Sequence, residues 1–331
     1  MTATLAEVAR EAGVSIATAS RALNNSASVS DGAYQRVCDA ATRLAYVRQR
    51  APAATVRRGP GAVAVVVHTE HRRLFGDAFY HRLITAAGAE LALCDVPLLV
   101  VSVTAASLPT VGRYLHGGHV DGVIVVGDHG PHPLAGSLPA AGLPVAVIGR
   151  PLGPSRAPYF DADNRGSARH GVEHLLGAGR RGIVHVAGPP DLAAGADRLA
   201  GYRDALRGAH LPASPVAYGD FTPAAGAYAM ELLLHQRPRL DAVFVASDAM
   251  AAGALRALAR TGRRVPDDVA VVGFDDDPVA LQVSPALTTV RQPIEELGRL
   301  AVRRLLRGTG AVEPGPAATV LPTSLVVRGT A

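Results

Sequence analysis

Residues 4–24, which read TLAEVAREAGVSIATASRALN, decide the fold of the N-terminal part of the chain. Thr4 and Glu7 have the spacing of a capping box, so a helix is predicted to begin directly after Thr4. Gly13 can adopt the positive φ of a tight turn. Ser15 is a favourable N-cap for a second short helix. Two short helices joined by such a turn are typical of a helix-turn-helix, which is a DNA-binding motif.

The second helix of this motif presents short side chains and one arginine on its outward face. Helical spacing places Ile16, Ala17, Ser20 and Arg21 on that face, whereas Ala19 turns toward the interior. Short side chains let a helix approach the floor of the DNA major groove, and an arginine there can bond a guanine at two points. The alternative is a small helical bundle that does not bind DNA. The candidate DNA-binding residues of this segment are Leu5, Ser15, Ile16, Ala17, Thr18, Ser20, Arg21, Asn24 and Tyr46.

The positive charge of the chain is concentrated near its N-terminus. The 331 residues carry a formal net charge of +5, and residues 1–60 contribute +4 of it, from eight arginines against four acidic residues. Residues 48–61 read RQRAPAATVRRGPG, a basic stretch with the Gly/Pro break that is typical of a linker. This distribution favours a polyanionic partner, although a solvated basic face would show the same charge.

Beyond residue 61, short β-branched runs alternate with longer helical stretches. The predicted strands are 63–67, 98–103, 123–126, 145–148, 183–187, 242–246, 269–273 and 325–327. Such alternation is typical of parallel sheets with helices on both faces, and this number of strands fits two lobes better than one sheet. The predicted fold class is an all-α helix-turn-helix head followed by an α/β core of two doubly wound, parallel-sheet lobes.

Several classes of enzyme are disfavoured by the composition and motifs of the chain. It contains no lysine, which excludes Schiff-base chemistry and the lysine of a phosphate-binding loop. The pattern GAGRRG at 177–182 matches the dinucleotide-binding GxGxxG, but it follows a predicted helix and precedes a strand, the reverse of the required order. No GxSxG nucleophile motif occurs. We therefore predict a protein that is not an enzyme and needs no cofactor.

Metal binding, disulfides and membrane insertion are also disfavoured. His170 and His174 lie one helical turn apart, but spacing places no third ligand, so a partly buried helix face is the better interpretation. Cys38 and Cys94 are far apart and form no CxxC pair. The apolar runs are too short for a membrane span, and Glu7 lies where a signal peptide would carry its apolar core. The sequence predicts a cytoplasmic protein with no metal and no membrane partner.

Polar residues that follow predicted strands indicate a small-molecule cleft, because open α/β sheets bind ligands at the carboxyl ends of their strands. Each residue alone is equally consistent with a helix cap or a surface charge. As a set they suggest a polar small-molecule cleft. The candidate ligand-binding residues found in this way are His68, Asp128, Arg198, Ser247 and Asp275.

Eleven segments carry a further signal by their order and spacing. They are TLAEVAREAGVS at 4–15, TASRALN at 18–24, VDG at 120–122, DN at 163–164, GVEHLL at 171–176, RLAGY at 198–202, GDF at 219–221, SDAMAAGA at 247–254, VPDDVAVVGFDD at 265–276, PALTTVRQP at 285–293 and LPTSLVVR at 321–328. Together they resemble the lactose-repressor (LacI/GalR-type) family of transcriptional regulators, over essentially the whole chain.

The resemblance implies a DNA-binding head, a hinge and a two-lobed core of the periplasmic-binding-protein type. An effector bound between the lobes would reorient them and change operator affinity. In this family the arginine and the aspartate at the positions of Arg198 and Asp275 commonly contact effector. The resemblance therefore implies that the donors of Arg198 and the acceptor oxygens of Asp275 bind adjacent hydroxyls of a sugar. Phe221 is the sixth predicted ligand-binding residue and would stack on the apolar face of the sugar. The implied domains are 1–46, 47–61 and 62–331, with one lobe at about 62–160 and 291–321 and the other at about 161–290 and 322–331.

The function implied by the resemblance is that of a sequence-specific transcriptional regulator, a repressor of sugar or related catabolic genes controlled by a sugar or sugar derivative. One recognition helix reads only half of a palindromic site, so we expect a homodimer on double-stranded operator DNA. The alternative is a solute-binding protein of periplasmic type without a transcriptional role.

The predicted hinge departs from the family pattern. Pro52 replaces the usual alanine, and Thr55 replaces the leucine that enters the minor groove. Proline lacks an N–H, so a helix can begin at Pro52 but cannot run through it unstrained. We therefore expect a short helix over about 53–58 that forms on operator DNA, with Thr55 or Val56 at the minor groove beside Arg57.

Overall fold

The computed structural model describes residues 4–23, 29–44, 46, 61–69, 71–127, 134–138, 142–153, 155–307 and 317–331. The chain divides into two units, Met1–Gly59 and Pro60–Ala331. We call the first unit the head and the second the body. None of the helices formed by the described residues is long and apolar enough to cross a membrane.

The head contains three short helices, α1 (Leu5–Glu11), α2 (Ile16–Leu23) and α3 (Asp31–Arg43). The predicted capping box is confirmed: the Thr4 N–H donates to Oε2 of Glu7 at 2.6 Å, and the Glu7 N–H donates to Oγ1 of Thr4 at 3.3 Å. Small apolar side chains of all three helices form the core of the head, namely Val8, Ala9, Ala12, Ala19, Ala22, Val37 and Ala40. Because most of them are alanine, the short helices can pack closely.

The body contains two lobes, each built on a six-stranded sheet. The first lobe comprises β1 (Val63–His68), α4 (His71–Gly76), α5 (Ala78–Ala92), β2 (Leu98–Val103), α6 (Leu108–His116), β3 (Gly122–Val126), α7 (Leu134–Ser137), β4 (Val145–Ile148), β5 (Tyr159–Ala162), α13 (Ile294–Arg307) and β11 (Ala318–Leu321). The second lobe comprises α8 (Asn164–Gly177), β6 (Ile183–Ala187), α9 (Ala193–Gly208), β7 (Val216–Tyr218), α10 (Pro223–Gln236), β8 (Ala242–Val245), α11 (Asp248–Arg260), β9 (Ala270–Asp275), α12 (Val279–Gln282), β10 (Thr288–Arg291) and β12 (Ser324–Val326).

Both sheets are almost entirely parallel. The first has the order β11-β5-β4-β3-β1-β2, and the second has the order β12-β10-β9-β8-β6-β7, in which β12 is antiparallel to β10. Along β1, Val63, Val65 and Val67 enter one hydrophobic core, and Ala64 and Val66 enter the other. Burial on both faces is what a parallel sheet between two helical layers requires. The predicted α/β class with two doubly wound lobes is confirmed.

The sequence-based prediction omits four strands, β5, β7, β10 and β11. They are three or four residues long and read YFDA, VAY, TTVR and ATVL. Strand prediction depends on apolar and polar residues that alternate along the chain. These four segments are too short, or too polar, for that alternation to be recognised. Pairing with neighbouring strands, rather than local sequence, makes these segments extended.

The chain passes between the lobes three times, from β5 to α8, from β10 to α13 and from β11 to β12. Strand β5 ends at Ala162 and β10 at Arg291, one or two residues beyond the lobe bounds given above. The first turn of α8 touches the third crossing, because Oγ of Ser167 lies 2.5 Å from Oγ1 of Thr323. Several adjacent connections between two packed lobes form the kind of hinge about which such lobes close on a ligand.

An aromatic cluster fills the side of the second sheet that packs against α8 and α9. His185 on β6 stacks against Tyr202 and Phe244, with ring centroids 4.9 Å and 5.1 Å away. Its Nδ1 lies 2.9 Å from the carbonyl oxygen of Phe244, and its Nε2 has no hydrogen-bond partner among the described residues. Burial lowers the pKa of His185 to about 4, so the ring is neutral in the folded protein near pH 7.

We expect His185 to make the folded state sensitive to acid. Because the pKa is about 4 in the folded state and about 6.5 in the unfolded chain, the unfolded chain binds the extra proton between these values. Above pH 6.5 the ring is neutral in both states, and proton binding does not lower the free energy of unfolding. As the pH falls from 6.5 toward 4, protonation of the unfolded chain lowers that free energy by about 3 kcal/mol. Denaturant unfolding at several pH values should give His185→Phe a weaker dependence on pH than wild type over this window. An identical dependence would contradict the assignment.

Candidate functional site

A cleft opens in the body between the two lobes, where both sheets present the carboxyl ends of their strands. Val126 ends β3, Ile148 ends β4 and Asp275 ends β9, and all three line the cleft. The space among the lining atoms, including the mouth, is about 940 Å³, which is large enough for a small-molecule ligand. The polar residues that line it are Arg73, Asp77, Tyr80, Arg150, Asp161, Asn164, Arg198, Ser247, Asp275, Asp277 and Gln292.

Arg198 on α9 is a buried cation whose position is fixed from several sides. Its Nε donates to Oδ1 of Asn164 at 2.9 Å, and its Nη1 donates to the carbonyl oxygen of Ala246 at 2.5 Å. Nη1 also lies 3.3 Å from Oδ1 of Asp275, and the guanidinium carbon lies 3.7 Å from the ring centroid of Phe274. A buried charge needs such pairing and hydrogen bonding. The guanidinium is therefore held in place beside the cleft before any ligand binds.

Asp275 is the carboxylate that faces Arg198. Its Oδ1 also accepts a hydrogen bond from Nε2 of Gln292 at 2.5 Å. Its φ of 114° lies in the region that side chains other than glycine rarely adopt, and strain of this kind is concentrated at ligand sites. Burial raises the pKa of Asp275 above its usual range, although Arg198 opposes the shift.

Further carboxyl groups lie close to Asp275. Asp248 accepts hydrogen bonds from the Asp277 N–H at 2.9 Å and from Oγ1 of Thr289 at 2.6 Å. Burial raises the pKa of Asp248, and it raises the pKa of Asp277 together with the negative charges of Asp275 and Asp77. A carboxyl group accepts hydrogen bonds from hydroxyls, and its negative charge opposes the approach of an anion. This wall of the cleft therefore suits a neutral, hydroxyl-rich ligand better than an anion.

Phe221 places an aromatic ring at the cleft. Its φ is 68°, and its ring lies 5.3 Å from the guanidinium carbon of Arg73 and 5.9 Å from that of Arg198. Gly188 makes room for the ring, because a Cβ atom at this glycine would lie 2.4 Å from Cζ of Phe221. The guanidinium groups of Arg73 and Arg198 therefore offer hydrogen-bond donors to a ligand beside the apolar face of the Phe221 ring.

The structure brings four of the six predicted ligand-binding residues to the cleft, namely Arg198, Phe221, Ser247 and Asp275. Ser247 also serves as the N-cap of α11, because its Oγ accepts from the Met250 N–H at 3.3 Å. His68 is not among the described residues that line the cleft. It ends β1, which pairs with β2 on one side and with β3, one of the strands whose ends line the cleft, on the other. Asp128 lies outside the described residues.

Sequence reasoning missed several polar residues of the cleft. Asp161 accepts from the Arg150 N–H at 3.0 Å and from Nδ2 of Asn164 at 2.9 Å, which joins three elements at the first crossing. The side chain of Arg150 bonds Asp197 of the second lobe at 2.9 Å. Asp161 follows the rule that polar residues at strand ends line ligand sites, but its strand β5 was itself not predicted.

The head presents the predicted surface of α2. Ile16, Ala17 and Arg21 are exposed, and Nε of Arg21 donates to the carbonyl oxygen of Ala17 at 3.2 Å. Oγ of Ser15 accepts from the Thr18 N–H at 3.1 Å, which caps the helix. Thr18 and Ser20 are half-buried, and Leu5 and Tyr46 pack partly against the core of the head. Asn24, Thr55, Val56 and Arg57 lie outside the described residues, as does the hinge around Pro52.

Both the head and the body contain segments that match known protein families. Residues 4–49 match the family described as bacterial regulatory proteins, lacI family, and residues 172–331 match a periplasmic binding protein-like domain. The chain is 42% identical to the HTH-type transcriptional regulator CelR of Thermobifida fusca, over 98% of this chain and 97% of that relative. The chain belongs to the lacI family. It is 32% identical to the HTH-type transcriptional repressor CytR of Escherichia coli K12, over 99% of this chain and 96% of the relative.

Solved structures of lacI-family regulators have the same fold. A CelR–cellobiose complex is similar with a TM-score of 0.78 and 40% identity, covering 99% of this chain and 100% of that one. The lac repressor dimer bound to operator and the anti-inducer ONPF has a TM-score of 0.71 and 27% identity, covering 100% and 99%. This lacI-family chain is therefore a DNA-binding transcriptional regulator, as predicted, and its relatives are regulators rather than enzymes. The alternative of a solute-binding protein does not account for the matched head.

Proposed function

We propose that the effector of this regulator is a neutral sugar, a β-glucosidic oligosaccharide such as cellobiose, bound between the two lobes. The observation that carries the proposal is the ion pair of Arg198 and Asp275 beside the ring of Phe221. The guanidinium donates and the carboxylate accepts, which suits vicinal hydroxyls, and an aromatic ring suits the apolar face of a pyranose. The similarity to the CelR–cellobiose complex supports the same ligand class.

The proposed DNA contact is made by the head, with α2 in the major groove. Arg21 would read a base edge, and the short side chains around it would bring the backbone of α2 close to the groove floor. The proposed contact residues are Leu5, Ser15, Ile16, Ala17, Thr18, Ser20, Arg21, Asn24 and Tyr46 in the head and Thr55, Val56 and Arg57 in the linker. The hinge over about 53–58 would order on operator DNA.

The proposed assembly is a cytoplasmic homodimer on a palindromic operator, and the proposed role is repression of sugar or related catabolic genes. The domains would be 1–46, 47–61 and 62–331. A ligand that touches both lobes stabilises one relative orientation of them by its differential affinity, which is what a switch requires.

A thermal-shift series with full-length protein tests the effector class. Because a ligand that binds only the folded state stabilises it by about 2.7 kcal/mol at one hundred times its Kd, cellobiose should raise the melting temperature by several degrees. Ribose and free nucleosides serve as controls and should raise it less. The same cellobiose concentration should change retardation of operator DNA in a gel. Stabilisation by a nucleoside and not by any glucoside would overturn the proposal.

A further inference from the structure

One arginine of the first lobe, Arg82 on α5, reaches the second lobe beside the cleft. Within its own lobe it is held by Glu295 in the first turn of α13, with Nε 2.7 Å from Oε1 and Nη2 3.1 Å from Oε2. This two-point bond fixes the plane of the guanidinium. The remaining nitrogen, Nη1, donates to the backbone carbonyl oxygens of Asp275 at 3.2 Å and Asp276 at 3.4 Å. It also lies 3.7 Å from Oδ1 of Asp277.

The loop that Arg82 holds is strained and contains a proposed effector-binding residue. Asp275 has a φ of 114° and Asp276 a φ of 54°, and both values lie in the left-handed region. Such conformations persist only where the surrounding structure fixes them. The side chain of Asp276 is fixed by Arg291 and Arg328, both of the second lobe. The bonds from Arg82 come from the other lobe, so they link the geometry of this loop to the position of the first lobe.

Arg82 is one of the cations that offset the negative charges at this contact, together with Arg198 and Arg73. Asp77 of the first lobe faces the carboxyl groups of Asp275 and Asp277 of the second, and like charges oppose their approach. Oδ1 of Asp277 is buried and has no hydrogen-bond partner among the described residues. The guanidinium of Arg82, 3.7 Å from this oxygen, offsets the repulsion.

We propose that Arg82 is a clasp between the lobes, a positioning residue that stabilises the closed arrangement, in which it bonds the second lobe as in this structure, and so sets the affinity for effector. Arg82 is not among the described residues that line the cleft, whereas Asp275 and Asp277 are. This inference rests on the proposed function, because it assigns a regulatory role to the same cleft. If only a fraction of unliganded molecules is closed, the apparent Kd equals the intrinsic Kd divided by that fraction. Loss of the clasp therefore weakens every ligand of the cleft by the same factor.

Titration of full-length Arg82→Ala with cellobiose and with cellotriose tests the clasp. Both Kd values should rise about tenfold and by the same factor, because the bonds between a charged donor and the second lobe are lost. Arg82→Lys keeps the positive charge but lacks the several planar donors of a guanidinium. Its affinity should therefore lie between those of Arg82→Ala and wild type. Arg303→Ala is the matched control, because Arg303 pairs with Glu90 at 2.7 Å and thereby joins the same two helices, α13 and α5, within the first lobe. It should leave both Kd values unchanged.

Hydrogen exchange of the ligand-free proteins separates this inference from the proposed effector class. Amides in the segment 275–282 should exchange about tenfold faster in Arg82→Ala than in wild type, and Arg303→Ala should match wild type. If wild type binds neither sugar, the proposed effector class is wrong. The hydrogen-exchange comparison of the ligand-free proteins then still tests the role of Arg82. If Arg82→Ala does not fold, Arg82→Lys is measured instead and should show the same changes at smaller size. Unchanged exchange, or a Kd that changes for one sugar and not for the other, would overturn the inference.

Discussion

Asp275→Ala is expected to weaken effector binding by about 2–5 kcal/mol, which corresponds to a Kd higher by roughly 30-fold or more. The substitution removes the acceptor for sugar hydroxyls and leaves the guanidinium of Arg198, which is 4% exposed, without its ion-pair partner. The lost acceptor for hydroxyls weakens binding, whereas the unpaired buried charge lowers the stability of the free and the bound protein alike. Operator affinity without effector should stay near wild type, because Asp275 lies in the body and not in the head.

Calorimetric titration with cellobiose measures this effect, and gel retardation without sugar measures operator affinity. Asp204→Ala is the control. Asp204 lies on α9, the helix that carries Arg198, and it forms ion pairs with Arg165 at 2.7 Å and with Arg207 at 3.1 Å, away from the cleft lining. It should bind cellobiose as wild type does. The site assignment fails if Asp275→Ala titrates like wild type, or if it loses operator binding while it remains folded and dimeric.

Arg21→Ala is expected to remove much of the discrimination between operator and unrelated DNA. A guanidinium that bonds a guanine at two points contributes about 1–3 kcal/mol of discrimination for each half-site, and a homodimer reads two half-sites. Arg21 is exposed on α2, where its Nε donates to the carbonyl oxygen of Ala17. The helix should persist, because Ser15 caps α2 and alanine favours helix.

Gel retardation on operator and scrambled duplexes, over a range of salt concentrations, measures this loss. Affinity for both should fall with salt at a log–log slope of about −0.9 per neutralised phosphate. Arg43→Ala on α3 is the control, because it removes the same charge from the head at a residue that pairs with Glu11 at 3.3 Å. It should weaken both complexes alike and keep their ratio. If Arg21→Ala retains the wild-type ratio, α2 does not read the bases through this residue.

The prediction of the head from sequence succeeded because its signals are local. The capping box needs only Thr4 and Glu7, three residues apart, and the burial of Ala19 follows from helical spacing. The long buried strands of the body were predicted for the same reason, since their β-branched runs need no knowledge of their neighbours. Short strands such as β7, which reads VAY, carry too few residues for that period to be recognised.

The fold class and the helix-turn-helix could be predicted from patterns among neighbouring residues. Arg198 and Asp275 were predicted as site residues because the segments 198–202 and 265–276 resemble those of a known family. Only the tertiary structure shows which other side chains lie close to these residues and which contacts join the two lobes. Arg82 bonds Glu295 across 213 positions of sequence and Arg150 bonds Asp197 across 47, and neither pair has a local signature. The described lining of the cleft does not include His68, although β1 pairs with β3, whose last residue Val126 lines the cleft. Contacts between lobes join residues that are far apart in the sequence, so patterns among neighbouring residues do not predict them.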